Sequence, residues 1–245
     1  MKTIAISCLK GGVGKTSTCL ALAAGFYGNG ERVLMVDIDG QCNLSFVCGA
    51  WNRAPNIRDV LQGSVLASSA VVSSPVGDLL PASAFLSDAD IKGANAIKTI
   101  LRAFSRHYDT VIIDCAPSLG ALTVAALFAA DFVVVPVKAD VLGYNAARQT
   151  IATIETAQKR GSKVKLLGIL PTMVNQRTTL HKQYLTALED LTDAHQCRLY
   201  APIRNSTAIA EAESLQQANI FEYAPRAGAT MDYQIFFEEI RKGII

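Results

Sequence analysis

The chain has 245 residues, of which 50% are hydrophobic, and its formal net charge is +2. This length and apolar content predict a single α/β domain over residues 1–245 with a sizeable core. The small charge excludes nucleic-acid binding driven by overall composition, so any DNA contact has to come from a local basic patch. The six cysteines form no C-x-x-C pair, a pattern that disfavours a zinc site and a disulfide framework and is typical of free thiols in a reducing cytosol.

The amino-terminal sequence enters an apolar run at Thr3, with no basic and apolar leader before it. No later apolar stretch is long enough to span a membrane, so we expect a cytoplasmic protein. A strand that starts this early also leaves no room for an N-terminal helix-turn-helix, which disfavours a repressor that reads its own operator.

Residues 9–17, LKGGVGKTS, lie between two apolar runs and predict a strand, a phosphate-binding loop and a helix. The glycines free backbone N–H groups to surround a polyphosphate, and the helix N-terminus adds its positive dipole end. Lys15 is expected to neutralise the β- and γ-phosphates, and Thr16 to offer its hydroxyl to Mg²⁺. The predicted nucleotide-binding residues of this loop are Lys10, Gly11, Gly12, Val13, Gly14, Lys15, Thr16 and Ser17.

The loop departs from the usual G-x-x-x-x-G-K-[ST] pattern, because Leu9 stands where the first glycine is expected and Lys10 follows it. The resulting K-G-G-x-G-K-[ST] resembles the deviant Walker A loop of the ParA/MinD group of ATPases. Among them it is most similar to the short, Soj-like ParA partition ATPases that lack a helix-turn-helix domain.

A second motif follows the predicted buried strand at residues 32–36, which ends in two acids, Asp37 and Asp39. Chemistry in an open parallel sheet lies at the carboxyl ends of its strands, and alternation places the two acids on one side. Residues 37–43 are similar to the D-x-D-P-Q-x-N segment of the same family, with Gly40 in place of proline. The resemblance implies that Asp39 orients or activates the attacking water and that Asp37 serves Mg²⁺ through its water shell.

The third motif is the apolar strand at residues 110–114, which ends in Asp114. An apolar strand with a terminal aspartate is the Walker B arrangement, whose carboxylate holds Mg²⁺. Together with the glycine loop it predicts a MgATP site.

Alternating strands and helices predict right-handed βαβ crossovers, and therefore a doubly wound, mostly parallel sheet with helices on both faces. The Ser-rich stretch 64–74 is predicted to be a surface helix or loop. The other predicted helices span residues 16–27, 57–62, 88–108, 142–159, 178–194 and 233–242, and the other strands span 78–81, 131–136, 164–170 and 198–203.

The likeness to the family extends over residues 171–177 and 202–212, and so over nearly the whole chain. It implies adenine contacts at Asn175 and Pro202, although an ordinary loop role for Asn175 is an equal alternative. It also implies DNA contact at Arg204. The basic residues of the C-terminal third that are candidates for a DNA patch are Arg177, Lys182, Arg198, Arg204, Arg226, Arg241 and Lys242.

The resemblance implies an ATPase that forms a homodimer with ATP and Mg²⁺ and then binds double-stranded DNA without sequence preference. Such a protein is nucleoid-associated when bound to ATP, and a ParB-like adaptor releases it by stimulating hydrolysis. Lys10 is expected to reach a nucleotide held by the other subunit. Plasmid, chromosome and protein assembly are alternative cargoes.

Two rivals use a similar loop. A MinD-like membrane switch needs a basic amphipathic tail, but residues 236–245 carry two acids and two bases, so we expect this tail to pack on the core. A reductase related to nitrogenase iron protein needs a cysteine pair, and no second cysteine follows Cys115 before Cys197.

Overall fold

In the computed structural model, which describes residues 1–175 and 177–244, eight strands form one sheet in the order β3-β4-β2-β5-β1-β6-β7-β8. Only the short edge strand β3 runs antiparallel to its neighbour within this described sheet. The strands are β1 (Lys2–Ile6), β2 (Val33–Asp37), β3 (Val72–Ser74), β4 (Gly77–Leu80), β5 (Thr110–Asp114), β6 (Phe132–Lys138), β7 (Lys165–Thr172) and β8 (Arg198–Leu199).

Helices cover both faces of the sheet, which confirms the predicted doubly wound fold. They are α1 (Lys15–Gly28), α2 (Asn43–Val47), α3 (Ile57–Gln62), α4 (Ala96–Arg102), α5 (Ala121–Ala129), α6 (Val141–Lys159), α7 (Thr179–Ala194), α8 (Thr207–Ser214), α9 (Ile220–Tyr223) and α10 (Gly228–Gly243). Alternate residues of the central strands enter two different cores: Ile4 and Ile112 pack under α1 and α10, whereas Ala5 and Ile113 pack under α4 to α6. The sheet is therefore buried on both faces, as parallel sheets generally are.

Three predicted elements differ in the structure. The helix predicted over 88–108 is a short 3₁₀ turn (Asp88–Asp90) followed by α4, because Gly93 adopts a left-handed φ of +99° between them. The strand predicted over 198–203 ends at Leu199, before Pro202, which has no N–H to donate to a ladder. The stretch 64–74, predicted as a helix or loop, contains a 3₁₀ turn and the edge strand β3.

The C-terminal helix packs on the core. Phe236 and Phe237 of α10 are buried, and the Phe237 ring meets Phe26 of α1 edge-on at 5.0 Å. Gly25 makes this approach possible, since a Cβ at that position would lie 2.4 Å from the Phe237 ring. Within the described residues, none of the helices is both long enough and apolar enough to cross a bilayer. Gln176 and Ile245 lie outside those residues.

The topology brings three loops to one edge of the sheet. β5 pairs with both β1 and β2, and Asp114 lies level with Ile6 on one side and with Asp37 on the other. The glycine loop after β1 therefore lies beside the acidic ends of β2 and β5, the position where open α/β sheets bind ligands.

Candidate nucleotide and metal site

The glycine loop has the conformation of a phosphate cradle. Gly12 and Gly14 adopt left-handed φ angles of +64° and +80°, and α1 begins directly afterwards at Lys15. No side chain caps the amino terminus of α1, so its first N–H groups remain available to an anion. Lys15 is only 7% exposed, and its ammonium donates to the Lys10 carbonyl at 3.2 Å. The Val13 side chain is fully buried, so this residue offers only its backbone to the loop.

Thr16 and Asp114 lie in contact, and together they fit a magnesium ion. The Thr16 hydroxyl donates to Oδ2 of Asp114 at 2.7 Å. The other oxygen of Asp114, Oδ1, is buried and accepts no hydrogen bond from the described residues. Burial raises the pKa of the Asp114 carboxyl to about 8, and the neighbouring carboxylate of Asp37 adds to the shift. A hydroxyl beside an unpaired carboxylate oxygen is a hard oxygen donor set of the kind that Mg²⁺ prefers.

Asp37 lies at the carboxyl end of β2, where its side chain accepts hydrogen bonds from two neighbouring residues. This residue is fully buried: its Oδ1 accepts from the Asp39 N–H at 3.0 Å, and its Oδ2 accepts from the backbone N–H and the hydroxyl of Ser45 at 2.9 and 2.7 Å. Burial raises its pKa to about 6, while the bonds from Ser45 oppose that rise. The carboxylate thus anchors the segment that carries Asp39, and its contact with the water shell of Mg²⁺ stays a prediction.

Asp39 lies where an acid facing the phosphates is expected. β2 ends at Asp37, so the turn that follows, rather than strand alternation, decides the direction of Asp39. Its Oδ1 accepts from the Gln41 N–H at 3.0 Å, and the residue lines the same cavity as Lys15 and Thr16.

That cavity has a volume of about 460 Å³ and is lined in part by residues of α2 and α8. Sequence reasoning found its glycine loop and Asp39 but missed the other lining residues, which are Gln41, Asn43, Phe46, Val47, Pro117, Met173, Glu213 and Ser214. Gln41 and Asn43 belong to the family-like acidic segment, so that motif could have identified them, whereas no local pattern marks Met173 or Glu213.

A larger, mostly apolar cavity of about 780 Å³ lies beside α5 and α6. Its lining lacks the glycines and carboxylates, so we do not assign the nucleotide to it.

Lys10 is held by an acid on another loop. Its ammonium lies 3.0 Å from Oδ1 of Asp140, and that carboxylate also accepts from the Gly143 N–H at the start of α6. Partial burial raises the pKa of the Asp140 carboxyl, but the Gly143 N–H and the Lys10 ammonium lower it more, so the pKa lies below its usual value. Lys10 is thus directed along its own subunit rather than into solvent.

The two residues expected near adenine do not line the cavity of the glycine loop. Asn175 lines a neighbouring cavity of about 600 Å³, and it accepts from the Arg177 N–H at 3.1 Å. Pro202 directly precedes Ile203, whose carbonyl accepts a hydrogen bond from the Val174 N–H just beyond the end of β7.

Arg204, the residue expected to contact DNA, is paired within the chain. Its guanidinium makes two hydrogen bonds of 2.8 Å to Asp232, although the side chain is 58% exposed. Arg198 and Arg241 are also paired, with Glu239 and Glu238. The other four basic candidates have no ion pair within the part of the chain that the structure describes: Arg177, Lys182, Arg226 and Lys242.

Comparisons with known proteins identify chains that are similar in sequence and in fold. Residues 1–167 match the model of the AAA domain family. The chain is 36% identical to the chromosome-partitioning ATPase Soj of Thermus thermophilus, over 98% of this chain and 95% of that protein. It resembles the structure of a cobyrinic acid a,c-diamide synthase from Mycobacterium smegmatis with bound ATP analogue and magnesium, at a TM-score of 0.83 with 30% identity over 99% and 95% of the two chains. It also resembles the ATP complex of an McdA variant from Cyanothece, at a TM-score of 0.87 with 26% identity over 100% and 96% of the chains.

Proposed function

Because the chain belongs to the AAA domain family, and within it to the ParA/Soj type of partition ATPase, we propose that it is an ATP-driven switch that segregates DNA. In the proposed cycle the protein forms a homodimer with MgATP, and the dimer binds double-stranded DNA without sequence preference. A ParB-like adaptor then releases it by stimulating hydrolysis. The observation that carries this proposal is the glycine loop lying beside the Thr16–Asp114 pair, with an unpaired buried oxygen on Asp114.

Binding of the triphosphate is assigned to the glycine loop and to Lys15. The left-handed glycines and the uncapped start of α1 present N–H donors, and the buried ammonium of Lys15 supplies a positive charge where the β- and γ-phosphates would lie. Thr16 and Asp114 would hold Mg²⁺, which when bound neutralises charge on the phosphate oxygens.

Hydrolysis is assigned to Asp39 as the residue that orients the attacking water. Its neighbour Asp37 acts as a positioning residue, because it holds the backbone of Asp39 and of Ser45 at once. We expect slow basal turnover, since a switch stimulated by a partner keeps its hydrolytic geometry incomplete until that partner arrives.

Dimerisation is assigned to Lys10. A triphosphate carries several negative charges that one subunit neutralises incompletely, so an ammonium from the other subunit is attracted to it. To reach that position Lys10 has to leave Asp140. The triphosphate held by the other subunit then replaces the Asp140 carboxylate as the anionic partner of the Lys10 ammonium.

We predict that Lys10→Ala loses ATP-dependent dimerisation while the monomer still binds nucleotide. Light scattering with and without MgATP measures the first property, and equilibrium nucleotide binding measures the second. Lys2→Ala is the matched control, because Lys2 makes an ion pair of the same 3.0 Å length with Glu31 at the opposite end of β1. A dimer that forms normally in Lys10→Ala would make Lys10 a solvated loop residue.

The whole chain is proposed to work as one domain. Its contact with DNA is proposed to come from basic side chains that lie on one face of the protein. Dimerisation doubles such a patch and makes weak phosphate contacts bivalent. The pairing of Arg204 with Asp232 fixes the direction of its guanidinium while leaving more than half of the side chain exposed. Arg204 therefore remains our first choice for this contact.

We predict that Arg204→Glu weakens duplex binding and leaves ATP-dependent dimerisation intact. Gel shifts at two salt concentrations should show wild-type binding that requires ATP, ignores sequence and falls steeply as salt rises. Arg32→Glu is the matched control: Arg32 pairs with Asp109 at 2.8 Å and is likewise 58% exposed, but it lies at the amino end of β2. The absence of any ATP-dependent shift would reject DNA binding and favour the membrane-surface alternative.

The two rivals are less well supported by the described residues. The apolar face of α10, which a membrane-surface switch would need free, is buried against α1. Cys115 is fully buried, so it is not presented at a surface where two subunits could share a metal cluster.

A further inference from the structure

A carboxylate from a distant part of the chain lies in the nucleotide cavity. Glu213, on α8, lines that cavity, and its Oε1 accepts a hydrogen bond from the hydroxyl of Ser17 in the first turn of α1. The side-chain amide of Gln216 donates to the Phe46 carbonyl at 2.9 Å and holds the end of α8 against α2 at the cavity edge. The position of Glu213 is thus determined by two helices that both border the cavity.

Within the described part of the chain, the Glu213 carboxylate is not paired with a cation. Among the described residues, no lysine, arginine or histidine forms an ion pair with Glu213, and its second oxygen, Oε2, accepts no hydrogen bond. Burial raises the pKa of the Glu213 carboxyl, although the bond from Ser17 opposes that rise. Glu213 is half-buried, so this oxygen remains open to a donor that enters the cavity.

The place of Glu213 along the cavity limits which ligand group it can meet. The loop and Lys15 are assigned to the β- and γ-phosphates. Ser17 lies one residue beyond Thr16 along α1, so we expect it on the α-phosphate side of them. Next to the α-phosphate a nucleotide carries its ribose, whose 2′ and 3′ hydroxyls are donors. A carboxylate that accepts from ribose hydroxyls is the solution that dinucleotide-binding sites use for the same sugar.

We propose that Glu213 is a specificity-determining residue that accepts hydrogen bonds from the ribose hydroxyls of the bound nucleotide, so that the protein selects ribonucleotides over 2′-deoxyribonucleotides. The inference rests on the proposed function, because it requires a nucleotide in this cavity. The Ser17 hydroxyl holds one carboxylate oxygen and leaves the other to the sugar. A 2′-deoxynucleotide would leave that oxygen with one donor fewer, and sites built around a hydroxyl discriminate strongly against analogues that lack it.

The test is equilibrium binding of ATP and of 2′-deoxy-ATP to the full chain in the presence of Mg²⁺. For the wild type we expect ATP to bind about tenfold more tightly, as for the loss of one hydrogen bond to a charged acceptor. In Glu213→Ala the ratio should fall to about one, because neither sugar then meets the carboxylate. Glu213→Gln, which keeps the shape and one neutral oxygen, should give an intermediate ratio. The matched control is Glu211→Gln, an exposed carboxylate on the same helix outside the cavity, which should keep the wild-type ratio.

Equal binding of the two nucleotides by the wild type would overturn the inference, and so would an unchanged ratio in both Glu213 variants. Parallel titrations with GTP separate sugar from base: a Glu213→Ala variant that changes the ATP to GTP ratio but keeps the ATP to 2′-deoxy-ATP ratio would show that the carboxylate reads the base instead. A wild type that binds none of these nucleotides would overturn the proposed function itself, a result distinct from binding without discrimination.

Discussion

Replacing Lys15 with alanine should abolish tight MgATP binding, with a loss of affinity of at least about a hundredfold, since several hydrogen bonds from a charged donor are removed at once. The Lys15 side chain is almost completely buried, and its ammonium is directed into the loop by the Lys10 carbonyl. A second ammonium cannot easily replace it, because Lys10 is engaged by Asp140. Isothermal titration with MgATP measures the effect.

The control for this experiment is Lys165→Ala, since Lys165 is an exposed lysine at the amino end of β7, at the opposite edge of the sheet. Thermal unfolding of both variants without nucleotide separates a lost ligand from a lost fold. Wild-type affinity in Lys15→Ala would refute the assignment of the phosphate loop.

In Thr16→Ala the dependence of ATP binding on Mg²⁺ should be reduced, because the hydroxyl that contacts Asp114 is removed.

Asp39→Ala should bind ATP and dimerise, but it should hydrolyse ATP at least about a hundredfold more slowly than the wild type. This is the loss expected when a group that positions or activates the nucleophile is removed. The side chain contributes little to holding the fold, since among the residues that the structure describes it accepts a hydrogen bond only from the Gln41 N–H. Single-turnover hydrolysis of prebound ATP isolates the chemical step from binding, and light scattering follows the dimer.

Asp39→Asn separates charge from position in the same assay. The amide oxygen can still accept from the Gln41 N–H, so the turn should keep its shape while the negative charge is removed. Asp193→Ala, a change at an exposed position of α7, is the surface control. Turnover of Asp39→Ala at the wild-type rate would remove Asp39 from the mechanism.

The phosphate loop and the two acidic strand ends are well predicted because each is a contiguous signal. The glycines at 12 and 14 have the left-handed φ that their type allows, and α1 follows at once. The apolar runs before Asp37 and Asp114 predict buried parallel strands, and the topology of such a sheet requires that their carboxyl ends meet. The same reasoning predicts the fold class.

Helix boundaries and short elements were less predictable. α5 was missed, since eight of its nine residues are apolar and the segment shows no contrast between a buried and an exposed side. The pattern over 88–108 looked like one long helix, but it contains Gly93, whose left-handed backbone ends regular structure there.

What the amino-acid sequence determines by itself is the chemistry of the loop and the class of fold, because both depend on neighbours along the chain. Only the tertiary structure decides which distant groups complete the site. Asp140 lies 130 residues from Lys10, and Glu213 lies 196 residues from Ser17, yet each pair is in hydrogen-bond contact. The surroundings of Asp37 are decided in the same way: Ser45 of α2 packs over the end of β2, and its buried N–H and hydroxyl both donate to the Asp37 carboxylate, which no local pattern predicts.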